Sequence, residues 1–331
     1  MAGASRLRPW RARLTYTEDT LLNLKTCFTW MGALLTAAVL AGCGGSGTDS
    51  GGTVRLVNAT QGYGALDGYV TDVKQFSGIA ESGASGYVGV GSGTLTFKLK
   101  LADSSTTALT QDLTPTSGTN YSLLAYNIGS KLSVAFLNDS QLAPTVGTAA
   151  FRVFNGATPA GAVDVYVTDS TTALTDVSPV ASSVAAPGIG AYTEITKGTY
   201  RVRVTGAGDK NDLRLDIPAV TLSDQQIATL VLSSTSGGVL VNGLVLNQGG
   251  TATAFKNTTA RVRVVAAVTG NGTVAASAGG LALGTALQAP SVGSYIVTPA
   301  ALPKGSRRGT NHLIRPDTAP GTWRRVYVPS D

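Results

Sequence analysis

Two short blocks, Leu66-Asp67-Gly68-Tyr69-Val70-Thr71-Asp72 and Val163-Asp164-Val165-Tyr166-Val167-Thr168-Asp169, set a carboxylate, a phenol and a hydroxyl on alternate positions of an apolar stretch. Alternate residues of an extended strand share a face, so Asp67, Tyr69 and Thr71 stand together, as do Asp164, Tyr166 and Thr168. The pattern predicts that these side chains lie on the exposed side of equivalent strands. Carboxylates and aromatic faces are the groups that a calcium ion or a sugar needs, which makes Asp67, Tyr69, Asp164 and Tyr166 candidate ligand-binding residues. The same pattern also describes a solvated strand face closed by an Asp turn.

Other chemistry is scarce. The single histidine, His312, falls near the C-terminal end, so the body of the chain supplies no Ser-His-Asp triad and no multi-histidine metal site. Gly89-Val90-Gly91-Ser92-Gly93 has the glycine density of a phosphate loop, but alternating polarity follows it where a helix N-terminus would be needed. Asp209-Lys210-Asn211-Asp212 offers three oxygen ligands without the spacing or the glycine of a calcium loop, and reads as a hairpin turn. No catalytic residue, metal or cofactor is expected, and no pair of aspartates stands out for glycoside hydrolysis.

The most specific signal lies near the start. Lys25 precedes an apolar run, Phe28 to Leu40, that ends in Leu40-Ala41-Gly42-Cys43 and a Gly/Ser/Thr stretch. Its 13 residues fall short of the ~20 that cross a bilayer and match the apolar region of a secretory signal. Leu40-Ala41-Gly42-Cys43 resembles a bacterial lipobox. That resemblance implies cleavage before Cys43, a diacylglyceryl group on its thiol, and a palmitate-type anchor that holds the chain to a membrane without spanning it. Gly44 at the second mature position resembles outer-membrane sorting, with the body in the periplasm or at the cell surface. Residues 1–23 suit a signal poorly, and translation from near Leu24 or Met31 would remove the difficulty. Cys27 would leave with the signal and Cys43 would be acylated, so no thiol would remain for a disulfide.

The net charge of +6 could suggest a nucleic-acid partner, but the charge sits at the two ends. Residues 1–42 hold five basic and two acidic side chains, and residues 301–331 hold six and two. Taking these from totals of 25 and 19 leaves 14 basic and 15 acidic residues between. The body is near neutral, without the basic stripe that phosphate recognition needs, and no nucleic-acid partner is expected. From Leu302 onward, prolines and basic residues replace the alternation of the body, as in a disordered tail or a shifted reading frame.

Internal repetition organises the body. Val54-Arg55-Leu56-Val57-Asn58 recurs as Phe151-Arg152-Val153-Phe154-Asn155 at the offset of 97 residues that also relates the two Asp/Tyr blocks. Tyr87 and Gly93 to Phe97 match Tyr192 and Gly198 to Val202. A third copy begins at Val262-Arg263-Val264-Val265 and reaches Gly293-Ser294-Tyr295-Ile296-Val297, taken as the counterpart of the Gly198 strand. Ala275 and Ser277 replace the Asp/Tyr pair there. Alternation is clean in Leu95, Phe97, Leu99 and Leu101 against Lys98 and Lys100, and in Tyr200, Val202 and Val204 against Arg201 and Arg203.

Several strands per ~100 residues predict an all-β chain of tandem immunoglobulin-like β-sandwich domains after a lipoprotein signal peptide. The expected division is signal peptide 1–42, acylated linker 43–53, sandwich repeats 54–148 and 149–250, a partial third repeat 260–300 and a basic tail 301–331.

The Arg-Val-Phe-Asn block followed by Ala162-Val163-Asp164-Val165-Tyr166-Val167 resembles the opening of the bacterial domain-of-unknown-function 4397 family. The resemblance covers residues 54–250, and more weakly about 300. It implies extracytoplasmic β-domains in tandem and carries no activity. A non-catalytic envelope lipoprotein with an unknown protein or glycan partner is therefore expected, acting as a structural, adhesive or scaffold module. The alternative is a glycan- or small-ligand-binding module using the Asp/Tyr faces.

Overall fold

The computed structural model describes residues 50–300, except Gly237, Gly279 and Gly280, together with two short strands further on. They belong to one compact unit, residues 49–331. The expectations for Cys43, for its lipobox Leu40, Ala41 and Gly42, and for most of the basic tail fall outside the described residues. Within the described residues the chain is all-β, with two single 3-10 turns at Thr158–Ala160 and Leu174–Asp176.

The first repeat comprises β1 (Ser50–Asn58), β2 (Leu66–Val70), β3 (Val73–Ile79), β4 (Gly83–Ala84), β5 (Val88–Gly91), β6 (Leu95–Leu101), β7 (Thr107–Leu113), β8 (Asn120–Ile128) and β9 (Lys131–Asn138). One sheet runs β4-β1-β8-β9, with β5 also on β1, and the other runs β3-β2-β6-β7. Their inner faces enclose Val54, Leu56, Leu66 and Leu123 together with Phe97 and Leu99, two of the apolar positions that alternation marked. Thr71 and Asp72, at φ 45° and 66°, form the two-residue hairpin between β2 and β3, where the left-handed conformation matches the strand twist.

The second repeat follows the same plan with β10 (Thr148–Asn155), β11 (Val163–Thr168), β12 (Ala181–Val184), β13 (Gly188–Ile189), β14 (Thr193–Thr196), β15 (Gly198–Gly206), β16 (Asp209–Leu222), β17 (Ile227–Ser234), β18 (Val241–Asn247) and β19 (Ala252–Phe255). Its sheets are β13-β10-β17-β18-β19, with β14 on β10, and β12-β11-β15-β16. In both repeats the first strand lies parallel to a late one, β1 beside β8 and β10 beside β17, and antiparallel to its other neighbours. Two local expectations are corrected. Asp209 to Asp212 opens β16, and the hairpin turn is Ala207-Gly208. Arg203, expected in solvent, is buried, because the loop after β11 folds over it and its Nη2 donates to Thr168 Oγ1 and the Thr172 carbonyl.

The third unit holds β20 (Thr259–Val262), β21 (Val265–Ala266), β22 (Thr273–Val274), β23 (Ser277–Ala278), β24 (Leu281–Ala282), β25 (Leu287–Gln288), β26 (Ser291–Val292) and β27 (Ile296–Pro299). Here the sequence alignment needs correction. β27 pairs antiparallel with β20, Val262 opposite Ile296, as β14 pairs with β10, Phe151 opposite Thr193. β26 likewise repeats β13, and the bond from Gly293 N–H to the Val264 carbonyl repeats that from Gly190 N–H to the Val153 carbonyl. The segment Gly293 to Val297 is therefore the counterpart of the strand after Tyr192, and the described part of the third unit ends before a Gly198-type strand. Asn257 ties this unit to the second repeat through the Arg214 and Val241 carbonyls, and Arg261 pairs with Asp212 at 3.0 Å. Beyond it, β28 (Leu313–Ile314) pairs with β29 (Arg324–Arg325).

Candidate functional site

Asp67, Tyr69, Asp164 and Tyr166 lie on the outer face of their sheets, as alternation required, but three of the four are not exposed. Asp67 is 3% exposed, Asp164 5% and Tyr166 1%. In each repeat the neighbouring strand bulges beside the aspartate. Asp67 Oδ1 accepts the Gly78 N–H at 2.7 Å, and Asp164 Oδ1 accepts the Ser183 N–H at 2.7 Å. Gly78 and Ser183 both sit at positive φ, 63° and 50°, so the carboxylate pins a left-handed bulge residue in each repeat.

The remaining oxygens are also taken, Asp67 Oδ2 by Lys74 Nζ at 2.6 Å and Asp164 Oδ2 by the Gly208 N–H at 2.9 Å. Burial pushes the Asp67 carboxyl up, but the bonds from Lys74 and Gly78 outweigh it and hold the group below its ordinary range. Tyr69 is half-buried, with Lys100 Nζ 4.7 Å and Lys74 Nζ 5.6 Å from its ring centre. Among the described residues no group of three or more His, Cys, Asp or Glu side chains is placed to hold a metal ion.

A second constellation joins the repeats. In β1, Val54 and Leu56 fill the first core, and Arg55 and Val57 on the opposite face are equally buried. In β10, Phe151 and Val153 fill the second core, and Arg152 and Phe154 are buried behind them. These outer faces are buried because they pack on each other. Val57, Leu124, Tyr126 and Leu137 of the first repeat meet Phe154, Val231, Leu244 and Leu246 of the second, with Tyr126 and Phe154 in edge contact at 5.5 Å.

Within this apolar seam the two arginines occupy equivalent settings. Arg55 Nε donates to Ser122 Oγ at 2.6 Å and Arg152 Nε to Thr229 Oγ1 at 2.9 Å, each hydroxyl standing on the parallel neighbour strand. The guanidinium carbons lie 4.7 Å and 4.4 Å from the ring centres of Tyr87 and Tyr192. Each arginine also crosses the seam. Arg55 Nη1 reaches the Asn247 carbonyl at 2.9 Å, and Arg152 Nη2 reaches the Asn138 carbonyl at 3.1 Å. Homologous groups exchanging homologous bonds give the junction an approximate two-fold character.

Asp139 breaks that symmetry. Its Oδ2 lies 3.1 Å from Arg55 Nη2 and its Oδ1 3.3 Å from Arg152 Nη2. Tyr87 Oη donates to Oδ2 at 2.7 Å, and Ser122 Oγ donates to it as well. After β18 the equivalent position is Gln248, whose amide exchanges two bonds with the Gln141 backbone. Burial raises the Tyr87 phenol well above its ordinary range, and the Asp139 charge pushes the same way. Tyr192 is raised too, again chiefly by burial. The pattern of the two arginines was visible as a repeat marker, but Asp139 sits past the end of β9 in no repeated motif, and nothing in the sequence assigned it.

The third unit carries the same pair at Arg263 and Tyr295, 4.7 Å apart, with Arg261 over the same ring at 4.6 Å. Arg263 is exposed and Tyr295 is 47% exposed, in contrast to the buried arginines of the first two repeats.

Residues 52–166 match the family model of a domain of unknown function, DUF4397, so the family resemblance holds across the first repeat and the opening strands of the second. For the rest of the second repeat the relation rests on internal repetition. No curated protein matches the chain. Among solved structures that match, the Bacillus anthracis TIE protein is 10% identical with a TM-score of 0.19, over 76% of this chain and 44% of its own. The chain thus spans less than half the length of that protein.

Proposed function

We propose that the chain is a non-catalytic cell-envelope lipoprotein, held by a lipid on Cys43, whose two sandwich repeats act as one rigid scaffold or adhesive module. The observation that carries this reading is the Arg55–Asp139–Arg152 junction. Three buried charges and an apolar seam join sandwiches that a bare linker would leave as independent beads. A fixed relative orientation is what a scaffold needs and what catalysis within one domain would not require. The lipobox supplies the anchor, and the single histidine near the C-terminal end leaves the body without the usual nucleophile-base pairs.

The alternative, a glycan module on the Asp/Tyr faces, is disfavoured because Asp67 and Asp164 spend their oxygens inside the fold. A groove where the repeats meet is lined by Asn120, Gln226, Asn247 and Gln248, but these amides are bonded to the protein.

Protease treatment of intact and permeabilised cells, comparing the wild type with Cys43→Ala, tests the proposal. Membrane attachment should be lost in the variant, and the two repeats should survive limited digestion as one fragment. Attachment that persists without Cys43 would overturn the anchor, and separate digestion of the repeats would overturn the rigid module.

A further inference from the structure

In both complete repeats the first strand is sandwiched. β1 has β4 and β5 on one edge and β8, in parallel, on the other; β10 has β13 and β14 on one edge and β17, in parallel, on the other. In the third unit, β20 and β21 have, among the described residues, only the first kind of neighbour, β27 and β26. The Val264 carbonyl accepts from Gly293 N–H and the Thr258 carbonyl from Ala300 N–H, so even-numbered residues point their polar groups toward that side. By the pleat, Arg261, Arg263 and Val265 point theirs to the other edge, where none of the three backbone N–H groups is hydrogen-bonded among the described residues. The unit's small core of Ala266, Val274, Ala289, Val264 and Leu287 lies beside that edge.

We propose that the third unit is a strand acceptor: the Arg261–Ala266 edge takes, in parallel, an extended segment of a partner polypeptide that is apolar on both faces and carries Ser or Thr opposite Arg263. The two complete repeats supply the template. Opposite Arg55 the parallel strand has Ser122, and opposite Arg152 it has Thr229. Each hydroxyl accepts the arginine Nε, and each is flanked by apolar residues, Leu123 and Leu124 or Leu230 and Val231. Main-chain bonds would supply affinity, and the hydroxyl and apolar side chains would supply selectivity.

Among the described residues a second copy of the chain has no such strand free to give, since β8 is held between β1 and β9 and β17 between β10 and β18. Beyond residue 300 the longest comparable apolar run is Val326-Tyr327-Val328, which Pro329 closes. The inference names a partner chemistry for the module and does not depend on lipidation, so its failure and that of the anchor are separable.

The test uses the full chain in detergent and a fluorescent peptide with the sequence Gln226 to Ser234. Saturable one-to-one binding is expected, with slowed hydrogen exchange at the Arg261, Arg263 and Val265 amides. Val265→Pro removes an N–H from the open edge and should weaken binding at least tenfold while leaving the unfolding of the first two repeats unchanged. Absent binding, or binding indifferent to Val265→Pro without protection of the three amides, would overturn the proposal. So would slow exchange of these amides in the free chain, which would mean that its own tail or a second copy already fills the edge; dilution would tell those two apart.

Discussion

Arg55 and Arg152, 97 residues apart in the chain and each the second residue of its repeat motif, converge on opposite oxygens of the Asp139 carboxylate at 3.1 and 3.3 Å. One aspartate neutralises half of the charge that the two repeats bury together. The remainder is spread over two tyrosine faces, two hydroxyls and two carbonyls.

Removing Asp139 leaves two buried guanidinium groups facing each other without an anion. Asp139→Ala should lower stability by about 3–5 kcal/mol, measured by urea unfolding. The wild type is expected to unfold in a single transition and, because the loss is at the seam, that of the variant should split in two, one for each repeat. A single, undisplaced transition would show that the seam contributes nothing.

Tyr87 retains its proton in the folded protein to a pH above its ordinary 10, because burial and the neighbouring Asp139 charge oppose ionisation. A raised pKa means that the folded state binds the proton more tightly. Its contribution is therefore complete below about pH 10 and is lost as pH rises beyond that value. Urea midpoints should fall steeply above pH 10 in the wild type and less steeply in Tyr87→Phe. At neutral pH the same variant should cost about 2 kcal/mol, the loss of a hydrogen bond to a charged acceptor.

Ser183 occupies, at φ 50°, the bulge position that Gly78 fills at φ 63° in the first repeat. A left-handed conformation strains a residue with a Cβ, so Ser183→Gly should be neutral or stabilising by up to about 1 kcal/mol, read as a higher thermal midpoint of the second repeat. A large loss would mean that the serine side chain has a role that its backbone does not explain.

Asp164→Ala strands the Ser183 and Gly208 amides and should destabilise by about 3 kcal/mol. Retention on a panel of immobilised glycans should be unchanged in Asp164→Asn with Tyr166→Phe, provided the protein is folded. Loss of glycan retention by this folded double variant would revive the ligand-binding reading.

At acid pH the sign reverses. Lys74 and the Gly78 N–H hold the Asp67 carboxyl below its ordinary value against the opposing push of burial. Its contribution is present above about pH 4 and fades as pH falls. Asp67→Asn should therefore unfold at the same urea concentration at pH 3 and pH 6 more nearly than the wild type does.

Much of the fold was legible because strand alternation and a constant offset are properties of the chain itself. Leu95, Phe97 and Leu99 face inward as expected, whereas Leu101 at the end of the same strand is 39% exposed, and Tyr87 matches Tyr192. The burial of Asp67 and Asp164 was not legible, because a bulge one strand away decides it and bulges leave only a faint trace in sequence. The seam left one visible sign. Val57 and Phe154 are large apolar residues on the face that also bears an arginine, so strands apolar on both sides implied a second partner. Asp139 left none, since no repeated neighbour marks it. The register of the third unit was not legible, because Gly-Ser-Tyr and Gly-Thr-Tyr look alike in sequence, whereas backbone pairing distinguishes them.

The parallel placement of the first strand in each repeat also sets where the chain enters and leaves. Thr53, Asn120 and the neighbouring Asn138 lie abreast at one end of their sheet, and Ala150, Ile227 and Asn247 do the same in theirs. Entry and exit of each repeat share an end, so the second sandwich packs beside the first, and nine-residue strands rise only about 30 Å. Height is gained at β19, which runs back along β18 to bring Phe255 opposite Gly243 and Asn257 onto Val241. The third unit, with its open edge, is thereby joined to the second repeat at the Val241 end of β18, opposite the end that bears Asn247.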